Sequence, residues 1–229
     1  MKKAILMATI FLFPRLLVAQ GFDVDSLVGE TWYGLYMNGE KAGYAFNSLE
    51  KDEEDRIILV EDARFQINMV GVKQDMHISS RRTYQPDGGL FAIESTVVDP
   101  SGPTEFLARV EGEELLLTSK VAGNVTETRL PKPKESLEDA VKHARWVLGT
   151  PQIGDTLNFT VFEPMYQQEI KGISHIIGIE MRMLEGVNTK VYQIKTALDL
   201  MGIDSVAYVA ENGTTLEDEV AGIITMRIE

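Results

Sequence analysis

The sequence contains no cysteine. That absence excludes disulfides, thiolate metal sites and a cysteine nucleophile, so the fold must be held by its core alone. Histidine is nearly as scarce: His77, His143 and His175 are the whole supply, and no two stand at a spacing that would put two ligands on one metal. Neither a metal nor a cofactor is expected. Glycine-rich phosphate loops of the dinucleotide or P-loop type are missing, and no serine stands in the Gly-x-Ser-x-Gly setting of a nucleophile elbow. After residue 19 no apolar run is long enough for a membrane helix. Basic charge is also short, with 22 Lys and Arg against 35 Asp and Glu; the net charge of −13 repels nucleic acid and anionic membrane surfaces.

What is present is an ordinary globular composition, 44% hydrophobic and 25% charged over 229 residues, enough for one sizeable domain. Residues 1–19 read as a secretory signal: Lys2 and Lys3 supply the basic start, Ala4 to Phe13 is apolar apart from Thr9, and Val18-Ala19 precedes a polar chain. Its removal would take the formal charge from −13 to −16. An exported, most simply periplasmic, location follows as an expectation, with residues 20–229 as a single β-rich domain.

The sharpest local pattern is TWYGLYMNGEKAGYAF, Thr31 to Phe46. Aromatic residues crowd both arms and Asn38-Gly39 sits between them, the strongest short-range hairpin signal. Trp32, Gly34 and Tyr36 alternate with Tyr33, Leu35 and Met37, so both faces of the first strand carry apolar groups. One face is expected in the core; the other must meet a covering layer, a ligand or a partner. Trp32, Tyr36 and Tyr44 are accordingly the candidate ligand- or partner-binding residues.

Alternation continues through Arg56 to Met69, Gln74 to Tyr84 and Leu90 to Val98, separated by turn chemistry at Gly71 and at Pro86-Asp87-Gly88-Gly89. Short apolar runs Phe106 to Val110, Leu115 to Val121 and Val125 to Leu130 lie between turn signals at Asp99 to Pro103, Glu111 to Glu113 and Ala122 to Asn124. Pro131-Lys132-Pro133-Lys134 then breaks the pattern, because proline has no amide to donate to a central strand. A helix follows: Ser136 and Asp139 have capping-box spacing, and Leu137, Ala140, Val141, Ala144, Val147 and Leu148 form an apolar stripe closed by Gly149. Strand patterns resume at Thr156 to Phe162, Ile173 to Leu184, Thr189 to Leu198, Ser205 to Ala210, Thr214 to Val220 and Ile223 to Ile228. The fold class predicted is mainly β: an antiparallel meander forming a curved sheet or partly open barrel, with one covering helix over 137–148 and a Pro/Lys connection at 131–135.

Few residues suggest chemistry. Asp52-Glu53-Glu54-Asp55 reads as a solvated turn, lacking the alternating ligands and glycine of a calcium loop. Arg81-Arg82 could clamp an anion, but strand-surface charge is the preferred reading. Met165, Met181, Met183, Met201 and Met226 would suit either an adaptable apolar cavity or an ordinary core. No catalytic residue is assigned.

WYGLYMNGEKAGYAF, RRTYQPDGGLFAIES and YVAENGTTLEDEVAGIITMRIE together resemble the non-catalytic β-rich region that precedes the catalytic core in bacterial exported transglutaminase-like proteins. There the chemistry belongs to a Cys-His-Asp core, which has no counterpart in a chain without cysteine. The resemblance implies a free-standing accessory domain and carries over no catalytic residue. A looser likeness to periplasmic lipoprotein carriers implies a half-barrel around an apolar cavity. The expectation is therefore a non-enzymatic accessory or interaction module that binds a partner protein or envelope component. The alternative is a carrier of a lipid or another apolar small molecule.

Overall fold

The computed structural model describes residues 28–69, 72–184, 186–199 and 202–229. The expected signal segment 1–19, Gly71 and Met201 lie outside the described residues.

Among the described residues the chain forms fourteen strands and one helix: β1 Gly29–Met37, β2 Glu40–Lys51, β3 Ile57–Met69, β4 Val72–Tyr84, β5 Leu90–Asp99, β6 Gly102–Glu111, β7 Glu114–Val121, β8 Asn124–Pro131, α1 Leu137–Leu148, β9 Thr156–Glu163, β10 Gln168–Leu184, β11 Val187–Leu198, β12 Ile203–Ala210, β13 Thr215–Val220 and β14 Ile224–Ile228. All strands join one antiparallel sheet in the order β8-β7-β6-β5-β4-β3-β2-β1-β14-β13-β12-β11-β10-β9. Each half is a meander of consecutive hairpins. The halves join where β1 pairs with β14, Leu35 opposite Met226. The two ends, β8 and β9, do not pair with each other, so the sheet is curved but not closed into a barrel.

Local chemistry accounts for the hairpins. Asn38 and Gly39 both take positive φ, 51° and 82°, the backbone that a tight turn between right-twisted strands requires. Ala122 and Gly123 repeat the arrangement between β7 and β8. Two prolines sit where a missing amide does no harm. Pro103 faces Val98 of β5 but lies beyond the first β7 partner, Thr104, so β6 begins earlier than the turn signal suggests. Pro131 closes the ladder of the edge strand β8 opposite Glu114. His175, expected at a strand start, lies within β10.

The helix determines how the sheet curls. Ser136 caps it, accepting from the Asp139 amide while the Asp139 side chain accepts from the Ser136 amide. Its start is tied to the β4–β5 turn, where the Leu137 amide donates to the Gly88 carbonyl at 2.8 Å. Leu137, Val141 and Ala144 pack with Leu49, Leu59, Tyr84, Ile93, Ala108 and Leu117 from β2 to β7. One turn later Val147, flanked by Trp146, packs with Ile176, Tyr192, Ile194 and Val209 from β10 to β12. One apolar stripe thus holds both arms of the sheet, which wraps around it. Burial of these side chains, at about 25 cal/mol per Å2, replaces the cross-links that a cysteine-free chain cannot make.

The methionines divide. Met226 is buried in the core and Met165 packs against it, whereas Met181 and Met183 stand exposed on the β10–β11 hairpin beyond the reach of β9. The last two therefore line no cavity.

Candidate functional site

On β1 the structure decides which of the two apolar faces is inward: Tyr33 and Leu35 face the core, and Trp32 faces out. The register places Trp32 opposite Phe46 and Gly34 opposite Tyr44 on β2. Trp32 stacks on Phe46 with ring centroids 5.1 Å apart and touches Tyr44 at 5.8 Å. Trp32 remains 46% exposed and Tyr44 38% exposed, so no further layer covers these rings. Polar groups border them: the Trp32 indole N–H donates to Glu30 at 3.4 Å, Arg64 lies opposite Tyr44, and Asp62 lies opposite Phe46. Asp62 is held by His77 Nε2 at 2.6 Å. Tyr36 points to the same side but is engaged elsewhere, with its hydroxyl 3.5 Å from Glu229 and the Arg227 guanidinium 5.3 Å from its ring centroid. Lys41 also pairs with Glu229. The three sequence candidates thus share the outer face, but only Trp32 and Tyr44 join one aromatic patch, to which Phe46 is added.

The inner face holds a charged cluster that the sequence reading did not foresee. Arg82, expected as surface charge, is only 3% exposed. The β-period accounts for the correction: Met76, Ile78, Ser80, Arg82 and Tyr84 share one side of β4, and that side is the core. Arg82 Nη1 donates to both oxygens of Glu135, at 2.8 and 2.9 Å. The Tyr84 hydroxyl donates to Glu135 at 2.7 Å. Glu135 lies in the Pro/Lys connection and is brought over Arg82 because the next residue, Ser136, bridges Gly89 at the end of the same hairpin.

The pair also reaches the free edge of β9. The Phe162 amide donates to Glu135 at 2.8 Å, and Arg82 Nη2 donates to the Phe162 carbonyl at 3.1 Å. An edge strand needs partners for such groups. Here a side-chain ion pair supplies them and fastens the seam that no strand closes.

Two further carboxyls adjoin the cluster, Glu61 on β3 and Glu163 at the end of β9. Burial raises Glu61 to about 8 against the pull of Arg82, and the neighbouring Glu163 and Glu135 add to the rise. Burial likewise raises Glu163 to about 7, opposed by Arg82 and by the Met165 amide that donates to it. Tyr84 is driven well above the usual phenol range by burial and by Glu135. Each of these shifts reflects the cost of charge in a low-dielectric interior.

The remaining candidates have structural partners. His143 of α1 meets the Ser174 hydroxyl at 2.8 Å, and Ser174 meets Thr196 at 2.8 Å, joining the helix to β10 and β11. Ser174 has no exposed surface, and His143 is half-buried. Asp52 accepts from the Glu54 and Arg56 amides and from the Arg56 side chain, as a turn-forming carboxylate does. Among the described residues no three His, Asp or Glu side chains converge as a metal site, and no helix is long and apolar enough to cross a membrane.

No protein-family model matches this chain, and no curated protein matches it. Among solved structures it is similar to a β-barrel-like protein of the domain of unknown function DUF1849 from Brucella abortus, at 10% identity and a TM-score of 0.59, over 87% of this chain and 94% of that one. A DUF1089 family protein from Pseudomonas aeruginosa aligns at 9% identity over 75% of this chain and 87% of that one, with a TM-score of 0.37. The first likeness concerns the fold alone, a barrel-like, mainly β architecture.

Proposed function

We propose that this chain is a non-enzymatic, exported binding module that docks a partner protein of the cell envelope on the outer face of β1 and β2. The observation that carries the reading is the uncovered aromatic patch of Trp32, Tyr44 and Phe46 on the side of β1 and β2 opposite the core. Large aromatic rings bordered by polar groups are the usual anchors of protein interfaces, because they desolvate much area at little entropic cost. The resemblance to accessory regions of exported transglutaminase-like proteins supports the same role, as does the apolar leader at residues 1–19. An apolar carrier is less well supported, since the concave side is filled by α1 and carries charged groups.

Replacing Trp32 and Tyr44 with alanine tests the proposal. A complex captured by crosslinking in the periplasm should disappear while the variant still unfolds cooperatively, with a melting temperature lower by only about a few degrees. Retention of the complex by the folded double variant would reject this face.

A further inference from the structure

Across the inner face runs a row of four polar side chains fixed by register: Asn47 on β2, Glu61 opposite it on β3, Ser80 opposite that on β4, and Ser95 on β5. The row before it is Ala45, Ala63, Ile78 and Val97, and the row after it is Leu49, Leu59, Arg82 and Ile93. All eight of these neighbours are buried, whereas Glu61 and Ser80 between them retain partial exposure. Two of its four members are therefore less closely covered than the rows on either side. Asn47, only 5% exposed, has no hydrogen-bond partner for either side-chain atom, although it stands directly across from Glu61. A buried amide with both its donor and its acceptor unused costs about 1–3 kcal/mol per group, so such a pair is rarely left without something to bind.

We propose that Asn47, Glu61 and Glu163 form a site for a small organic cation, a protonated amine with a hydroxyl or carbonyl close beside it. The charge inventory selects the amine. Arg82 is already committed to Glu135 and to Phe162, which leaves Glu61 and Glu163 without a cation of their own. An ammonium placed between them removes the cost of ionising them in the interior, and its N–H groups find three acceptors in the two carboxylates and Asn47 Oδ1. Asn47 Nδ2 then needs an acceptor, which the adjacent hydroxyl or carbonyl supplies. Three carboxylate or imidazole ligands do not converge here, so the geometry suits an amine better than a metal ion. The groups facing Glu61 are Arg82, Glu163 and Glu135, and those facing Glu163 are Arg82, Glu135 and the Met165 amide. Since burial holds both carboxyls toward their protonated forms, amine binding near neutral pH releases protons.

This site is independent of the outer aromatic face and can fail or stand without it. The test is a protein-observed NMR titration of the purified chain with 2-aminoethanol, using ethylene glycol as the neutral control, together with calorimetry in buffers of different ionisation enthalpy. The amine should shift resonances around Asn47, Glu61 and Glu163 with proton release, and ethylene glycol should not. Glu61→Gln, which keeps the side-chain volume, should weaken amine binding by about tenfold or more, and Asn47→Ala by about threefold or more. Any of three results would overturn the proposal: no amine-specific shift, equal shifts with ethylene glycol, or undiminished binding by a folded Glu61→Gln variant. A high-resolution structure in the presence of 2-aminoethanol showing only an ordered water between Asn47 and Glu61 would overturn it equally.

Discussion

Arg82 and Glu135 lie 53 positions apart and meet with one guanidinium nitrogen 2.8 and 2.9 Å from the two carboxylate oxygens, both side chains almost closed to solvent. Through Phe162 the same pair holds the free edge of β9. An ion pair at the seam of an open sheet thus does what a fifteenth strand would do in a closed one.

Breaking that pair from one side should be costly. Arg82→Met leaves Glu135 buried without its cation and unfastens the β9 edge, and a loss of about 3–5 kcal/mol is expected from denaturant unfolding. The double variant Arg82→Met, Glu135→Leu should be less damaged than the two single losses sum to. Strict additivity would show that the two residues are not coupled.

The raised carboxyls give stability a definite pH slope. Glu61 at about 8 and Glu163 at about 7 bind protons more tightly in the folded chain than at their ordinary value of 4.5. Between pH 4.5 and 8 the folded state therefore holds more protons than the unfolded one. The contribution of these groups is complete below about 4.5 and is lost as pH rises through 7 and 8. Glu61→Gln and Glu163→Gln should each flatten this fall. Chemical denaturation repeated across that range checks the sign, and a wild-type stability that rises with pH owing to these residues would contradict it.

The two faces of β1 should answer differently to truncation. Leu35→Ala opens a cavity in the core and is expected to cost about 2–5 kcal/mol. Trp32→Ala, on the exposed patch, should cost about 1 kcal/mol, mostly its stacking on Phe46. Thermal unfolding of both variants separates folding from docking roles.

Two glycines in the first hairpin make a further contrast. A Cβ on Gly43 would overlap the Arg64 carbonyl oxygen and come within 2.6 Å of the Phe65 Cα, backbone atoms that can retreat only by parting β2 from β3. A Cβ on Gly34 would come 2.5 Å from Glu229 Oε1 and 2.9 Å from Tyr36 Cε2, side-chain atoms that can move without parting the strands. Gly43→Ala should cost about 1–3 kcal/mol or more and Gly34→Ala markedly less, as measured by the shift in denaturation midpoint.

The sequence by itself determined the local elements. Period-two alternation, Asn38-Gly39 and Ala122-Gly123, and the Ser136 cap each act within a few residues, so the strands, their turns and α1 were legible without coordinates. Alternation separated Trp32 and Tyr36 from Tyr33 and Leu35, but with apolar groups on both faces it did not tell which set lies outward. What tertiary structure alone decided was every relation between distant segments: the pairing of β1 with β14, the failure of β8 and β9 to meet, and the gathering of Glu61, Arg82, Glu135 and Glu163. Alternation could mark Arg82 as inward on β4, but its partner comes from an irregular connection with no period to read. A charged residue is buried only when another segment arrives to match it, and that arrival is set by how the whole sheet curls around one helix.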